Sequence, residues 1–196
     1  MITIDLTTGG AVRPITRWGT PVMHAPTRPV TDFGNDLHTL VRDMFATMQA
    51  AEGVGLAATQ VGVDLAVFVY ECPDEDGNVQ TGVVCNPTVT LPEGRDRQLD
   101  NSEEGCLSWP GGYQSVSRPD EADCAGVDAD GNPVSVHGTG LLARCLQHET
   151  DHLNGVVFGD RLSARARRKL DEQVDALAYR YPDDWPVHAK MVAGAS

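Results

Sequence analysis

No stretch of this 196-residue chain approaches the apolar length of a bilayer-crossing helix, and a soluble protein is expected. The opening Met1-Ile2-Thr3-Ile4-Asp5-Leu6 has neither the basic start nor the apolar run of a secretory signal, so a cytoplasmic protein is expected. Positive charge is scarce: 15 Lys and Arg stand against 28 Asp and Glu, a formal net charge of -13. A surface of that sign repels polyanions, which argues against general nucleic-acid binding and leaves room only for a local basic patch. The five cysteines cannot all pair with one another, and in an intracellular chain they read as buried thiols or metal ligands before a disulfide framework. There is no internal repeat, low-complexity tract or convincing linker. Hydrophobic residues at 41% suffice for a single core at this length, so one domain spanning 1–196 is expected.

Along the chain, Pro14, Pro21, Pro26 and Pro29 exclude a long helix from residues 1–30 and predict an extended arm over the core. Leu37, Leu40, Val41, Met44, Phe45 and Met48 then repeat at helical spacing, with Asn35 as a candidate cap and Gly53 beyond the end. Between Leu65 and His137 strand signals dominate: Leu65 to Tyr70, Val79 to Cys85, Thr88 to Leu91, Gln114 to Ser117 and Ala122 to Val127. Asp76-Gly77 and Asp130-Gly131-Asn132 supply turns among them. A second helix is expected from Gly140 to Asn154 behind Thr139, and a third across 163–181 behind Ser163. The predicted class is α+β, with small antiparallel sheets around a central helix and a C-terminal helix beyond it.

The chemistry concentrates in Gln147-His148-Glu149-Thr150-Asp151-His152. This is H-E-x-x-H, and its spacing of four puts both imidazoles on one helix face about one turn apart, where they can share a cation. Glu149 is positioned to act as general base on water at that cation. Catalytic sites of this kind use three protein ligands, so the third decides the class. The metzincin extension fails because Phe158 occupies the required histidine position. A thermolysin-like site would use Glu172, whose surroundings do not resemble that family's second motif. The remaining option is a thiolate. Cys72, Cys85, Cys124 and Cys145 sit in runs suited to buried thiols, whereas Cys106 follows a glycine in Glu103-Glu104-Gly105-Cys106-Leu107-Ser108. Taken alone, Cys106 reads as a structural thiol or a nucleophile before it reads as a metal ligand.

Three stretches, in order, resemble the three signature motifs of the peptide deformylase family: Gly53-Val54-Gly55-Leu56-Ala57-Ala58-Thr59-Gln60, Glu104-Gly105-Cys106-Leu107-Ser108, and Gln147-His148-Glu149-Thr150-Asp151-His152-Leu153-Asn154-Gly155. The direct match spans about twenty residues, and the spacing carries it from Pro14 to the C-terminal helix. The resemblance implies removal of the formyl group from N-formyl-methionyl peptides, with release of formate. It implies Cys106, His148 and His152 as metal ligands, Glu149 as acid and base, and Gln60 with the Leu107 amide as oxyanion donors. Iron(II) is the physiological metal it implies, with zinc, nickel or cobalt as replacements; the ligand set suits all four.

For substrate binding the resemblance implies Gly53, Val54 and Gly55 along the peptide backbone, and Val54, Glu104, Leu141, Cys145 and His148 around the methionine side chain. Arg144 departs from the apolar residues of its position, and its charge is expected to extend to solvent while its stem lines the rim. Arg161, Arg165, Arg167, Arg168 and Lys169 form the one basic cluster. Such clusters are commonly solvated helix faces, while the family's C-terminal helix docks on the ribosome, which gives this patch a candidate partner. A metalloendopeptidase or a catalytically silent metal-binding protein are the competing readings; the presence of both Glu149 and Gln60 argues against the second.

Overall fold

The computed structural model describes residues 5–95 and 97–187. Among these, no helix is long and apolar enough to cross a membrane. The first helix, α1, runs Asn35–Ala50 and starts from Gly34, so Asn35 is its first residue and not its cap. Five antiparallel strands form the main sheet: β1 (Gly55–Ala57), β2 (Val67–Pro73), β3 (Val79–Thr90), β8 (Glu121–Val127) and β9 (Pro133–Thr139), in the order β1-β2-β3-β8-β9. Two small ribbons complete it. One pairs β4 (Leu99–Asp100) with β7 (Arg118–Pro119); the other pairs β5 (Glu103–Cys106) with β6 (Trp109–Ser115). Helix α2 spans Gly140–Leu153 and α3 spans Ala164–Leu177, with the Ser163 hydroxyl capping α3 at the Ala166 amide.

The layering follows from the two-residue period of a strand. Val67 and Val69 of β2 join α1 residues Leu37, Leu40, Met44 and Phe45 in one apolar cluster. Phe68, Tyr70 and Cys72, pointing the other way, join Leu142, Cys145 and Leu146 of α2 in a second. With a helix on each face, β2 is apolar on both, which is why it reads as a continuous run and not an alternation. Leu142 and Leu146 are fully buried, each burial contributing about 1.5–3 kcal/mol. These contacts hold the motif-bearing helix rigidly against the sheet.

Three details shift these expectations or add to them. The segments Val79 to Cys85 and Thr88 to Leu91 are one strand, β3, whose register slips between Cys85 and Thr88. At the slip Asn86 takes φ 52°, and its amide exchanges hydrogen bonds with the backbone of Val30 at 2.8 and 2.9 Å, pinning the arm to the sheet. The Cys106 stretch is the ribbon strand β5, and Leu107 and Ser108 make the turn to β6. The third helix ends at Leu177 instead of 181, followed by a short 3-10 turn over Ala178–Arg180.

A third apolar cluster, Met23, Cys106, Trp109, Val116, Phe158 and Leu170, lies under α3. Trp18 from the arm stacks on Trp109 at 4.6 Å. The Arg167 guanidinium lies 4.5 and 4.4 Å from these two indoles, a cation–π arrangement. Gly112 permits the approach of α3, since a Cβ there would stand 2.4 Å from Leu170.

Candidate metal centre and active site

Helix α2 presents His148 and His152 on one face with their Nε2 atoms 3.1 Å apart. The β5–β6 ribbon brings the Cys106 sulfur to 3.3 Å from His152 Nε2. One ligand atom from each residue lies within 4.8 Å of the others, and all three residues are buried. Converging a thiol sulfur and two imidazole nitrogens in a buried setting has little to recommend it for stability alone, and it matches the three-ligand set of a cation with an open fourth position. Glu172, by contrast, is exposed on α3, and Phe158 is a core aromatic packed edge-on against Trp109.

Around this group the polar side chains have defined jobs. Glu149 is buried, and its Oε2 has no hydrogen-bond partner among the described residues. Burial pushes its carboxyl up to about 7 despite the opposing charge of His148, a value suited to moving protons near neutrality. Gln60 donates from Nε2 to the Ser108 hydroxyl at 3.3 Å and towards the Cys106 sulfur at 3.6 Å, while its Oε1 accepts from the Ala57 amide at 2.9 Å. The bond from Ala57 fixes which way the amide faces. Gly55 leaves the space that Glu149 and Cys145 occupy: a Cβ there would stand 2.6 Å from Glu149 Oε1 and from Cys145 Sγ, so those side chains would have to shift.

Behind His148 lies a buried ionic network. His148 Nδ1 is 2.7 Å from Glu104 Oε1. Arg118 grips the same carboxylate with two hydrogen bonds at 2.6 and 2.7 Å, and Arg144 adds a third at 2.8 Å. Burial alone would raise the Glu104 carboxyl, but Arg118 and His148 outweigh it and hold it well below its usual range. Arg118 continues to Asp151 at 2.9 Å, and Arg161 forms an ion pair with the same aspartate.

The expectation that Arg144 extends to solvent is therefore corrected: the residue is only 4% exposed. Its guanidinium turns inward to Glu104, to the Val116 carbonyl and to the Asp100 carboxylate at 2.7 Å. Local sequence offered no sign of this, because Asp100, Glu104 and Arg118 lie on three separate short strands. Arg118, Asp100 and Ser108 are the supporting residues that sequence reasoning missed.

A cleft of about 750 Å³ opens beside Cys106, His148 and Glu149. Gly53, Val54, Gly55, Glu104, Leu141, Arg144 and Cys145 all line it, as do Gln60, Leu107 and Glu149. Strand β1 stands at the edge of the main sheet, so the Gly53–Gly55 backbone borders the cleft. Contact with Cys72 and burial both oppose ionisation of the Cys145 thiol. The basic cluster divides. Arg161 is taken up by Asp151 and Arg167 by the tryptophans, with Asp160 and Asp171 beside it. Arg165, Arg168 and Lys169 are exposed and without ion pairs among the described residues.

Comparison with known proteins adds an independent line. The family model described as polypeptide deformylase matches residues 12–168. The chain is 56% identical to peptide deformylase 1 of Streptomyces avermitilis over 174 residues, 88% of this chain and 80% of that protein. It is 48% identical to the peptide deformylase of Mycolicibacterium paratuberculosis over 182 residues, 88% of this chain and 92% of that one. Among solved structures, the peptide deformylase of Legionella pneumophila superposes with a TM-score of 0.77 at 39% identity, covering 88% of this chain and 100% of that one. The Synechococcus elongatus enzyme in complex with actinonin gives 0.75 at 36% identity, covering 90% and 95%.

Proposed function

The chain belongs to the polypeptide deformylase family, and from that premise we propose how its own residues carry out metal-dependent removal of the formyl group from N-formyl-methionyl peptides. The observation that carries this reading is the convergence of Cys106, His148 and His152 beside the buried Glu149, one oxygen of which has no hydrogen-bond partner among the described residues. Cys106, His148 and His152 hold one divalent ion, with iron(II) as the physiological metal and zinc, nickel or cobalt able to replace it. When bound, that ion supplies Lewis acidity, polarising a carbonyl and making water at the site more acidic.

The remaining work belongs to the protein. Glu149 accepts a proton at its free Oε2 as water adds to the formyl carbon, and returns it to the departing amine nitrogen. The formyl C–N bond breaks, leaving formate and a free methionine N-terminus. Gln60 Nε2 and the Leu107 N–H donate to the formyl oxygen as it gains charge. Gly53, Val54 and Gly55 receive the peptide backbone as an added strand on the β1 edge. Glu104 orients His148 through Nδ1, and Leu141, Cys145 and the inward-folded Arg144 close the methionine pocket.

The natural place for this reaction is the cytoplasm, on chains emerging from the ribosome, with docking through the exposed Arg165, Arg168 and Lys169 instead of the whole cluster. Hydrolysis of formyl-Met peptides by protein loaded anaerobically with iron(II) tests the activity. Acetyl-Met and unmodified peptides should stay intact, and cleavage of internal peptide bonds would overturn the reading.

A further inference from the structure

Beyond α3 the chain doubles back over the arm. The Arg17 guanidinium donates to the carbonyls of Tyr181 and Pro182 at 2.6 and 3.1 Å, and the Ile15 amide donates to the Trp185 carbonyl at 2.9 Å. Tyr181 and Trp185 pack edge to face at 5.1 Å, and Trp185 rests on the apolar cluster of α1. This turn is therefore anchored, and its anchoring sets Arg180, Tyr181 and Trp185 into the lining of the substrate cleft, together with Gly53, Leu107 and Gly111. The family match ends at residue 168, so this wall lies outside the matched core.

The charge at this wall is distinctive. Two arginines line the cleft: Arg144 is spent on Glu104 and Asp100, whereas Arg180 is exposed and has no ion pair among the described residues. The other charges at the mouth are the exposed carboxylates of Glu52 and Glu103. A cleft of about 750 Å³ is also larger than one methionine side chain needs, leaving length for the residues that follow it.

We propose that Arg180, the last residue of the 3-10 turn that leads into Tyr181–Trp185, is a specificity-determining residue that offsets the carboxylates of Glu52 and Glu103 and so shifts preference towards acidic side chains in the residues following formyl-methionine. The inference rests on the deformylase reading of the site. An exposed pair of this kind is a modest electrostatic preference, and reversing the charge turns attraction into repulsion, for a combined change of roughly fivefold. Screening should erase most of it at high salt.

The test compares kcat/KM for two amidated substrates, formyl-Met-Ala-Glu-Glu and formyl-Met-Ala-Lys-Lys, in wild type, Arg180→Glu, Arg180→Lys and Arg97→Glu. Arg97 is exposed and absent from the cleft lining, so its reversal controls for net charge. Arg180→Glu should lower the acidic-to-basic ratio roughly fivefold at low salt, with the shift collapsing near 1 M salt and Arg180→Lys restoring most of it. A ratio within twofold of wild type in Arg180→Glu, or an equal shift in Arg97→Glu, would overturn the assignment while leaving deformylation intact. Absence of turnover of either substrate by the wild type would overturn the deformylase reading and this wall with it.

Discussion

Replacing Glu104 with Gln keeps the shape of the side chain and removes the charge on which the buried network converges. Glu104 accepts from Arg118 at 2.6 and 2.7 Å, from Arg144 at 2.8 Å and from His148 Nδ1 at 2.7 Å. A glutamine has one acceptor oxygen for these donors, and its NH2 group faces a donor wherever it turns. Removing one partner of a buried ion pair costs about 3–5 kcal/mol. Asp151 and Asp100 continue to hold the two arginines at 2.9 and 2.7 Å, which places the expected loss near the lower end, about 3 kcal/mol. Native stability of about 5–15 kcal/mol leaves the variant folded. With a urea slope of about 2 kcal/mol/M, the midpoint should fall by about 1.5 M at pH 7.

The pH dependence has a defined sign. The folded-state pKa of Glu104 is depressed below its ordinary 4.5, so its stabilisation is complete above that value and is lost as pH falls towards the folded pKa. The gap between wild type and Glu104→Gln should therefore be constant from neutrality down to about pH 5 and narrow below it. His148 also loses its orienting acceptor, which should weaken metal retention against a chelator by about 10- to 100-fold. A midpoint shift below about 0.3 M at pH 7, or a gap that widens in acid, would refute this account of the network.

The other expectations are more direct. Cys106→Ala should strip metal and activity together, and stoichiometric metal with normal turnover in the purified variant would rule out its ligand role. Glu149→Ala should keep the metal and lose about a hundredfold or more in turnover, and Gln60→Leu about a hundredfold; metal analysis beside steady-state rates separates binding from chemistry. Combined charge reversal of Arg165, Arg168 and Lys169 should abolish salt-sensitive sedimentation with ribosomes while hydrolysis of short peptides proceeds, and equal sedimentation would sink the docking idea. Burial pushes Cys85 and Cys124 from 9.0 up to about 12. Stability should thus be full below pH 9 and fall as pH rises towards 12, by about 1.4 kcal/mol per pH unit for each thiol; flat urea midpoints from pH 8 to 11 would contradict this.

The parts of the site legible in sequence are those set by local geometry. Four residues of helix return a side chain to the same face, so the pairing of His148 and His152 is readable from their spacing alone, and the apolar spacing of α1 and α2 follows from the same period. Cys106 could be singled out by its flanking residues but its meeting with the histidines depends on how the β5–β6 ribbon lies against α2, a long-range contact. The direction of Arg144 is a tertiary decision of the same kind: burial opposes an unpaired guanidinium, and only the approach of Asp100 and Glu104 from separate strands makes the inward rotamer favourable. The basic cluster was visible as composition, yet which of its cations remain available was settled by Asp151 for Arg161 and by the Trp18–Trp109 stack for Arg167. Sequence supplies the chemical types and their periodicity, whereas partners far apart in the chain are chosen by packing, where the cost of leaving a buried charge unmatched decides which side chains meet.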